Sequence, residues 1–152
     1  MKLSCKIAPA RSEDYDWGAR LMTSTDPWIT FQRDFEGCRA TLTRPGTELF
    51  VARDVQGSPL GFVLLAPYGF AASPYIACFA VAAEARGQGV GSQLVQFTEQ
   101  RYQDRNHLFL LVSSFNARAQ SFYRSHGFNF VAELKDYIVP GYSEFVFHKR
   151  LP

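Results

Sequence analysis

Apolar and polar positions along this chain follow two different periods, and each change of period marks an element boundary. Leu3 to Ala8 alternates weakly and predicts a first strand. Ser12 then stands as an N-cap before Tyr15, Trp17, Leu21 and Met22, whose helical spacing runs to about Thr25. Asp26-Pro27 ends that helix, because the residue before proline is pushed out of the helical region. Phe31, Phe35 and Cys38 predict a second helix from about Thr30 to Leu42, followed by a Pro45-Gly46 turn.

Glu48 to Asp54 and Leu60 to Tyr68 predict two strands joined by Gln56-Gly57-Ser58, a hairpin. The second is nearly all apolar, as suits a central strand buried on both faces. Gly69 to Pro74 reads as a loop and Tyr75 to Val81 as the next strand. Val90, Leu94 and Phe97 mark one face of a helix ending near Gln103, and His107 to Ser113 is another apolar strand. Asn116 caps a helix that Gly127 stops. Phe128 to Val139 and Tyr142 to Leu151 predict two late strands around Pro140-Gly141, a type II turn signal. The predicted order is β-α-α-β-β-β-α-β-α-β-β, a mixed sheet with helices on both faces.

A length of 152 residues suits one domain over 1–152, and 47% hydrophobic against 20% charged residues suits a globular core. Fourteen Phe and seven Tyr leave a surplus of aromatics for a pocket. A net charge of +2 argues against nucleic acid or an anionic membrane as partner. Cys5, Cys38 and Cys78 are odd in number and widely spaced, without Cys-x-x-Cys, so neither a disulfide framework nor a metal site is expected. The first residues are too few and too polar for a signal peptide, and no run of 18 apolar residues exists. A cytoplasmic location is the expectation.

Arg86-Gly87-Gln88-Gly89-Val90-Gly91 lies between a buried strand and a helix. Three glycines clear side chains from a loop whose N–H groups can converge on an anion, where the helix dipole also favours negative charge. Arg86 adds a forked cation. A P-loop requires a lysine that is absent here, and a dinucleotide site requires Gly-x-Gly-x-x-Gly rather than Gly-x-Gly-x-Gly. The bland alternative is a glycine turn that merely starts a helix.

A second constellation bears on this choice. Asn116, Ala119, Phe122, Tyr123, Gly127 and Phe128 follow the next strand with the spacing Asn-x-x-Ala-x-x-Phe-Tyr-x-x-x-Gly-Phe. With Arg86, Gly89 and Gly91 upstream as Arg-x-x-Gly-x-Gly, the chain resembles the GNAT N-acetyltransferase superfamily. Ala83 stands where that family usually has proline. The resemblance implies a mixed α/β (α+β) fold, with about seven mostly antiparallel strands flanked by about four helices. It implies acetyl-CoA as donor and an amine, best a small-molecule primary amine, as acceptor, with a homodimer compatible.

The resemblance also implies roles. Arg86, Gly87, Gln88, Gly89, Val90, Gly91 and Ser92 would hold the pyrophosphate, and the backbone of Phe79 and Val81 the pantetheine arm, in a sheet splayed between Tyr75–Val81 and His107–Ser113. Val81 N–H would meet the oxyanion, Tyr123 would be the general acid and also line the cofactor site, and Asn116 would both cap its helix and touch the cofactor. The acceptor pocket would draw on Asp26, Trp28, Phe31 and Tyr137, with Asp26 or Asp136 for an ammonium group. Core packing by the same aromatics is the alternative. The base stays open among a water chain, Asp26, Asp136 and Glu144. A non-catalytic acyl-CoA-binding module and an acetyltransferase of protein N-termini or lysines are the competing functions.

Overall fold

Residues 2–152 are described by a computed structural model, and their elements follow the predicted order. Strand β1 spans Lys6–Pro9, helix α1 Ser12–Thr23 and helix α2 Phe35–Leu42. Strands β2 (Glu48–Arg53), β3 (Pro59–Phe70) and β4 (Ser73–Val81) form a meander. Helix α3 (Val90–Arg101), β5 (His107–Ser113), α4 (Ala117–Ser125), β6 (Asn129–Leu134) and β7 (Glu144–Arg150) complete the chain.

The seven strands form one sheet in the order β1-β2-β3-β4-β5-β7-β6. Each neighbouring pair is antiparallel except β4 and β5, which run parallel. The apolar run of β3 is buried because each face meets a helical layer. Phe62 and Leu64 pack with Ala19, Met22, Cys38 and Leu42 of α1 and α2, while Val63 and Leu65 pack with Leu94 and Val95 of α3. A strand covered on both sides has no polar face to show, which is why its sequence does not alternate.

Several local expectations are corrected. Arg11, not Ser12, is the N-cap of α1, and the Asp14 carboxylate accepts its N–H at 2.7 Å. Helix α2 begins at Phe35 rather than Thr30, because Asp34 caps it by accepting the Gly37 N–H at 2.8 Å. Phe31 thus belongs to the preceding turns. The expected loop from Gly69 to Pro74 is instead a tight β3–β4 hairpin in which Phe70 pairs with Ser73. Its turn residues Ala71 and Ala72 have φ of 49° and 66°, the left-handed geometry that matches strand twist. Strand β6 stops at Leu134 rather than Val139. Beyond it, Tyr142 N–H donates to the Val139 carbonyl around Pro140-Gly141, with Gly141 at φ 91°, as the type II signal predicts.

The α2 cap gives a simple stability prediction. Asp34→Ala leaves the Gly37 N–H without its acceptor and should cost about 1 kcal/mol, read as a lower urea midpoint at an unchanged slope.

Candidate active site

The parallel pair β4–β5 is registered only at Tyr75↔Phe109 and Ile76↔Leu110. From Ala77 onward β4 keeps β3 on one side and loses β5 on the other, so the sheet forks. A register shift on the β3 side, between Leu64↔Cys78 and Leu65↔Ile76, leaves Ala77 as an extra residue at the branch point. A bulge bends and twists its strand, here away from the parallel neighbour.

The fork exposes backbone groups. Ala82 N–H donates to the Leu60 carbonyl, and the pairs Gly61↔Val81 and Phe62↔Ala80 continue the ladder. Antiparallel alternation then turns the N–H and C=O of Val81 and Phe79 away from β3, into the opening. Arg86 Nε donates to the Val81 carbonyl at 3.1 Å, so the Val81 N–H is the group left free to face a ligand.

The glycine loop continues from this strand. Gly87 and Gly89 have φ of 75° and 85°, and Gly89 is the N-cap of α3. The backbone N–H groups of Gly87 through Ser92 donate to no carbonyl or side chain among the described residues. Consecutive unpaired amides at a helix N-terminus form an anion cradle. A β-carbon at Gly87 would meet nothing within 4 Å, and at Gly91 it would press on the Phe122 ring at 3.0 Å. The open side is thus left for a ligand and the closed side packs α3 on α4.

The start of the chain straps this loop. Leu3 N–H donates to the Gln88 carbonyl at 2.8 Å. The Gln93 amide accepts Cys5 N–H at 3.1 Å and donates to the carbonyls of Leu3 at 2.6 Å and Gly89 at 3.1 Å. Sequence reasoning missed Gln93, since a polar residue in the first turn of a helix carries no signal of such a role.

Helix α4 supplies the second motif. Asn116 accepts Ala119 N–H at 3.2 Å, the capping its spacing predicts. Tyr123 is 7% exposed and meets Phe79, Phe122 and Phe128 edge-on, with ring centroids 5.9, 5.3 and 5.7 Å away. Its hydroxyl makes no hydrogen bond among the described residues, yet it is not sealed off from solvent. It therefore opens on the cleft. Burial pushes its pKa well above that of a free phenol, so it keeps its proton. His126 at the C-terminus of α4 bridges to Ser92 Oγ at 2.9 Å, which ties the two motifs together.

One cleft of about 840 Å³ joins these parts. Arg86, Gly87, Gly89, Val90, Gly91 and Ser92 line it from the glycine loop, Phe79 and Val81 from β4, Asn116 and Tyr123 from α4 and its cap, and Asp26, Trp28 and Phe31 from the loop after α1. Gln88 is turned aside, its Nε2 donating to the Glu84 carbonyl at 2.9 Å, although its amide stays open. Tyr137 is 60% exposed and off the wall, where its neighbour Ile138 stands instead. Asp136 is also off the wall and accepts Gly141 N–H at 2.6 Å. Asp26 faces the cleft but already accepts from Thr30 Oγ1 at 2.8 Å and Thr30 N–H at 3.2 Å.

Phe31 touches Phe115 at 6.1 Å between centroids, and Phe115 touches Tyr142 at 4.9 Å. This aromatic bridge links the loops after α1, after β5 and before β7. Cys78 faces the cleft with its thiol pushed up to about 12 by burial, which makes it a core thiol rather than a nucleophile. Among the described residues no group of His, Cys, Asp and Glu suits a metal ion. No described helix is long and apolar enough to cross a membrane.

Known proteins share this architecture. No curated protein matches the chain by sequence. Among solved structures, nourseothricin acetyltransferase is 28% identical over 71% of this chain and 67% of its own, with a TM-score of 0.64. Ard1 from Thermoplasma volcanium covers 99% of each chain at 22% identity and TM-score 0.79. An aminoglycoside 6′-N-acetyltransferase complexed with coenzyme A covers 97% of this chain and 98% of its own at 15% identity and TM-score 0.77. The latter two likenesses speak to fold alone. Residues 10–128 match the acetyltransferase (GNAT) family, more than half of the sequence and both motifs, and the chain belongs to that family.

Proposed function

We propose that this protein moves an acetyl group from acetyl-CoA to a primary amine of a small molecule, with both bound at once. The observation that carries the reading is that one cleft takes in the glycine loop with its unpartnered amides, a forked strand edge and an aromatic wall. A phosphate-bearing, extended, amide-containing molecule matches that set of groups. Its pyrophosphate suits the Gly87–Ser92 amides and the Arg86 guanidinium, and its arm suits the free edge of Phe79 and Val81.

Acetyl-CoA supplies an acyl carbon activated as a thioester. The protein's residues supply the rest. Val81 N–H is a fixed donor aimed into the fork, and such a donor stabilises negative charge developing on a carbonyl oxygen without reorganisation. Tyr123 Oη holds its proton at neutral pH and offers it from the opposite wall, as a general acid toward a departing sulfur. Phe79, Phe122 and Phe128 lock the ring that carries that hydroxyl. Trp28 and Phe31 wall the acceptor end, and Asp26 places negative charge there.

The Phe31–Phe115–Tyr142 bridge favours a compact amine over a protein chain, because aromatic contacts across three loops narrow the approach. A non-catalytic acyl-CoA binder finds support only in the lack of a carboxylate on β4 itself. Thiol release from acetyl-CoA, measured across aliphatic, aromatic and polycationic amines and against N-terminal and lysine peptides, tests the reading. Saturable release with a small amine is the expected result. Release with peptides alone would move the substrate to proteins.

A further inference from the structure

We infer that Glu144, held by Ser113 at the mouth of the β4–β5 fork, binds the acceptor's ammonium group and takes its proton. The inference rests on the acetyl transfer proposed above and names the base that reading leaves open.

The register of β5 on β7 sets Ser113 opposite Glu144. Directly opposed residues share a face of the sheet. Ser113 alternates with Leu110 and Val112, which point to the α3–α4 layer, so this pair points to the α1–α2 side. Tyr123 enters from α4, on the other face. The carboxylate and the phenol thus reach the same cleft from opposite sides. Tyr75 of β4 lines the same cleft as both.

The carboxylate is poised rather than spent. Glu144 is 4% exposed. Ser113 Oγ donates to its Oε2 at 2.8 Å. Oε1 has no partner among the described residues and is not sealed from solvent, so it opens on the cleft. The titratable groups that share this cleft with it are Tyr75 and Cys78 of β4, Tyr123 of α4, and Asp26, Arg86 and Arg118, while Ser113 of β5 is its hydrogen-bond partner. No lysine, arginine or histidine forms an ion pair with it among the described residues. Burial raises its pKa, and the Ser113 hydrogen bond opposes that only in part.

A buried carboxylate without a cation weakens a fold, and it is commonly retained where a ligand brings the cation. An alkylammonium is such a cation and also the form in which the acceptor arrives. One N–H proton passes to Glu144 Oε1, and the nitrogen lone pair then forms the C–N bond as the C–S bond breaks. The electron pair leaves on sulfur. The second nitrogen proton balances the thiol by way of Tyr123 Oη, and Glu144 returns its proton to water through the cleft. The sum is ammonium plus thioester giving amide, thiol and one proton.

Glu144→Gln tests this, with Ser113 and the packing volume retained. Using the fastest amine of the panel above, kcat/KM for the amine should fall roughly 100-fold and its acidic limb should disappear. The dissociation constant for acetyl-CoA, from calorimetry, should stay within about twofold. Stability separates this role from a structural one. A carboxyl whose pKa is raised on folding stabilises the fold below its unfolded pKa, and that contribution is lost as pH rises through the folded value. The variant has no such loss, so its Tm should match the wild type near pH 4 and exceed it near pH 8. An unchanged kcat/KM with the acidic limb intact would overturn the inference, as would a lower Tm near pH 8 accompanied by weaker acetyl-CoA binding. Silence of the wild type across the whole panel would instead overturn the transferase reading, and this inference with it.

Discussion

Gly89→Asp is expected to weaken acetyl-CoA binding about 1000-fold while leaving the protein folded. Gly89 lies among six consecutive amides whose N–H groups are unpaired, and its φ of 85° is the left-handed geometry of the turn that leads into α3. A carboxylate placed there would set a fixed negative charge beside the cradle and repel the pyrophosphate. Like charges brought together in a site cost several kcal/mol, and each 1.4 kcal/mol is tenfold. Gly89→Asn separates charge from shape. It has the same size and tolerates left-handed backbone about as well as aspartate. A β-carbon here would meet the Lys2 stem at 3.1 Å, a flexible neighbour that can move. Calorimetric titration with acetyl-CoA should therefore show the asparagine variant within about tenfold of wild type. Equal losses in both variants would mean that the loop fails for steric reasons and that its amides do not read an anion.

The second large effect is on turnover. Tyr123→Phe should lower kcat by about 10- to 1000-fold and leave acetyl-CoA affinity unchanged. The substitution keeps the edge-on contacts with Phe79, Phe122 and Phe128 and removes one oxygen that opens on the cleft. Since burial raises the pKa of this phenol, its deprotonation should give the wild type no basic limb in kcat below about pH 10. Stopped-flow thiol detection under single turnover reads the chemical step directly. An unchanged single-turnover rate in the phenylalanine variant would remove Tyr123 from the acid role.

How much of this was legible in the sequence depends on the range over which each signal acts. The order of strands and helices was legible because periodicity is local, and β5 was bounded to the residue. The two motifs were legible because glycine spacing and the Asn116–Phe128 pattern each fall within one loop or helix. The errors arose where two local signals competed. Phe31 continued the apolar spacing of α2, but the Asp34 cap decided where that helix starts. Ala71-Ala72 has no turn chemistry, so the β3–β4 hairpin was hidden between Gly69 and Pro74.

The fork itself was known only through the resemblance, since a bulge at Ala77 leaves no mark in composition. Glu144 was one of three open carboxylates for a related reason. Its worth depends on the register of β5 against β7, and residues 31 positions apart show no relation until the sheet pairs them. Local hydrogen bonds sort the other two carboxylates. Asp136 holds a turn away from the cleft, and Asp26 faces the cleft with one oxygen engaged by Thr30.

The central claim is that the cleft brings an acetyl donor and an amine together. Amine-dependent release of free thiol from acetyl-CoA, with the acetylated amine counted in the same samples, tests it most directly. Saturable release in the presence of at least one small primary amine, with one amide formed per thiol, is the expected result. Tight acetyl-CoA binding with no amine-dependent thiol from any amine or peptide would contradict it and leave a protein that binds the donor without using it.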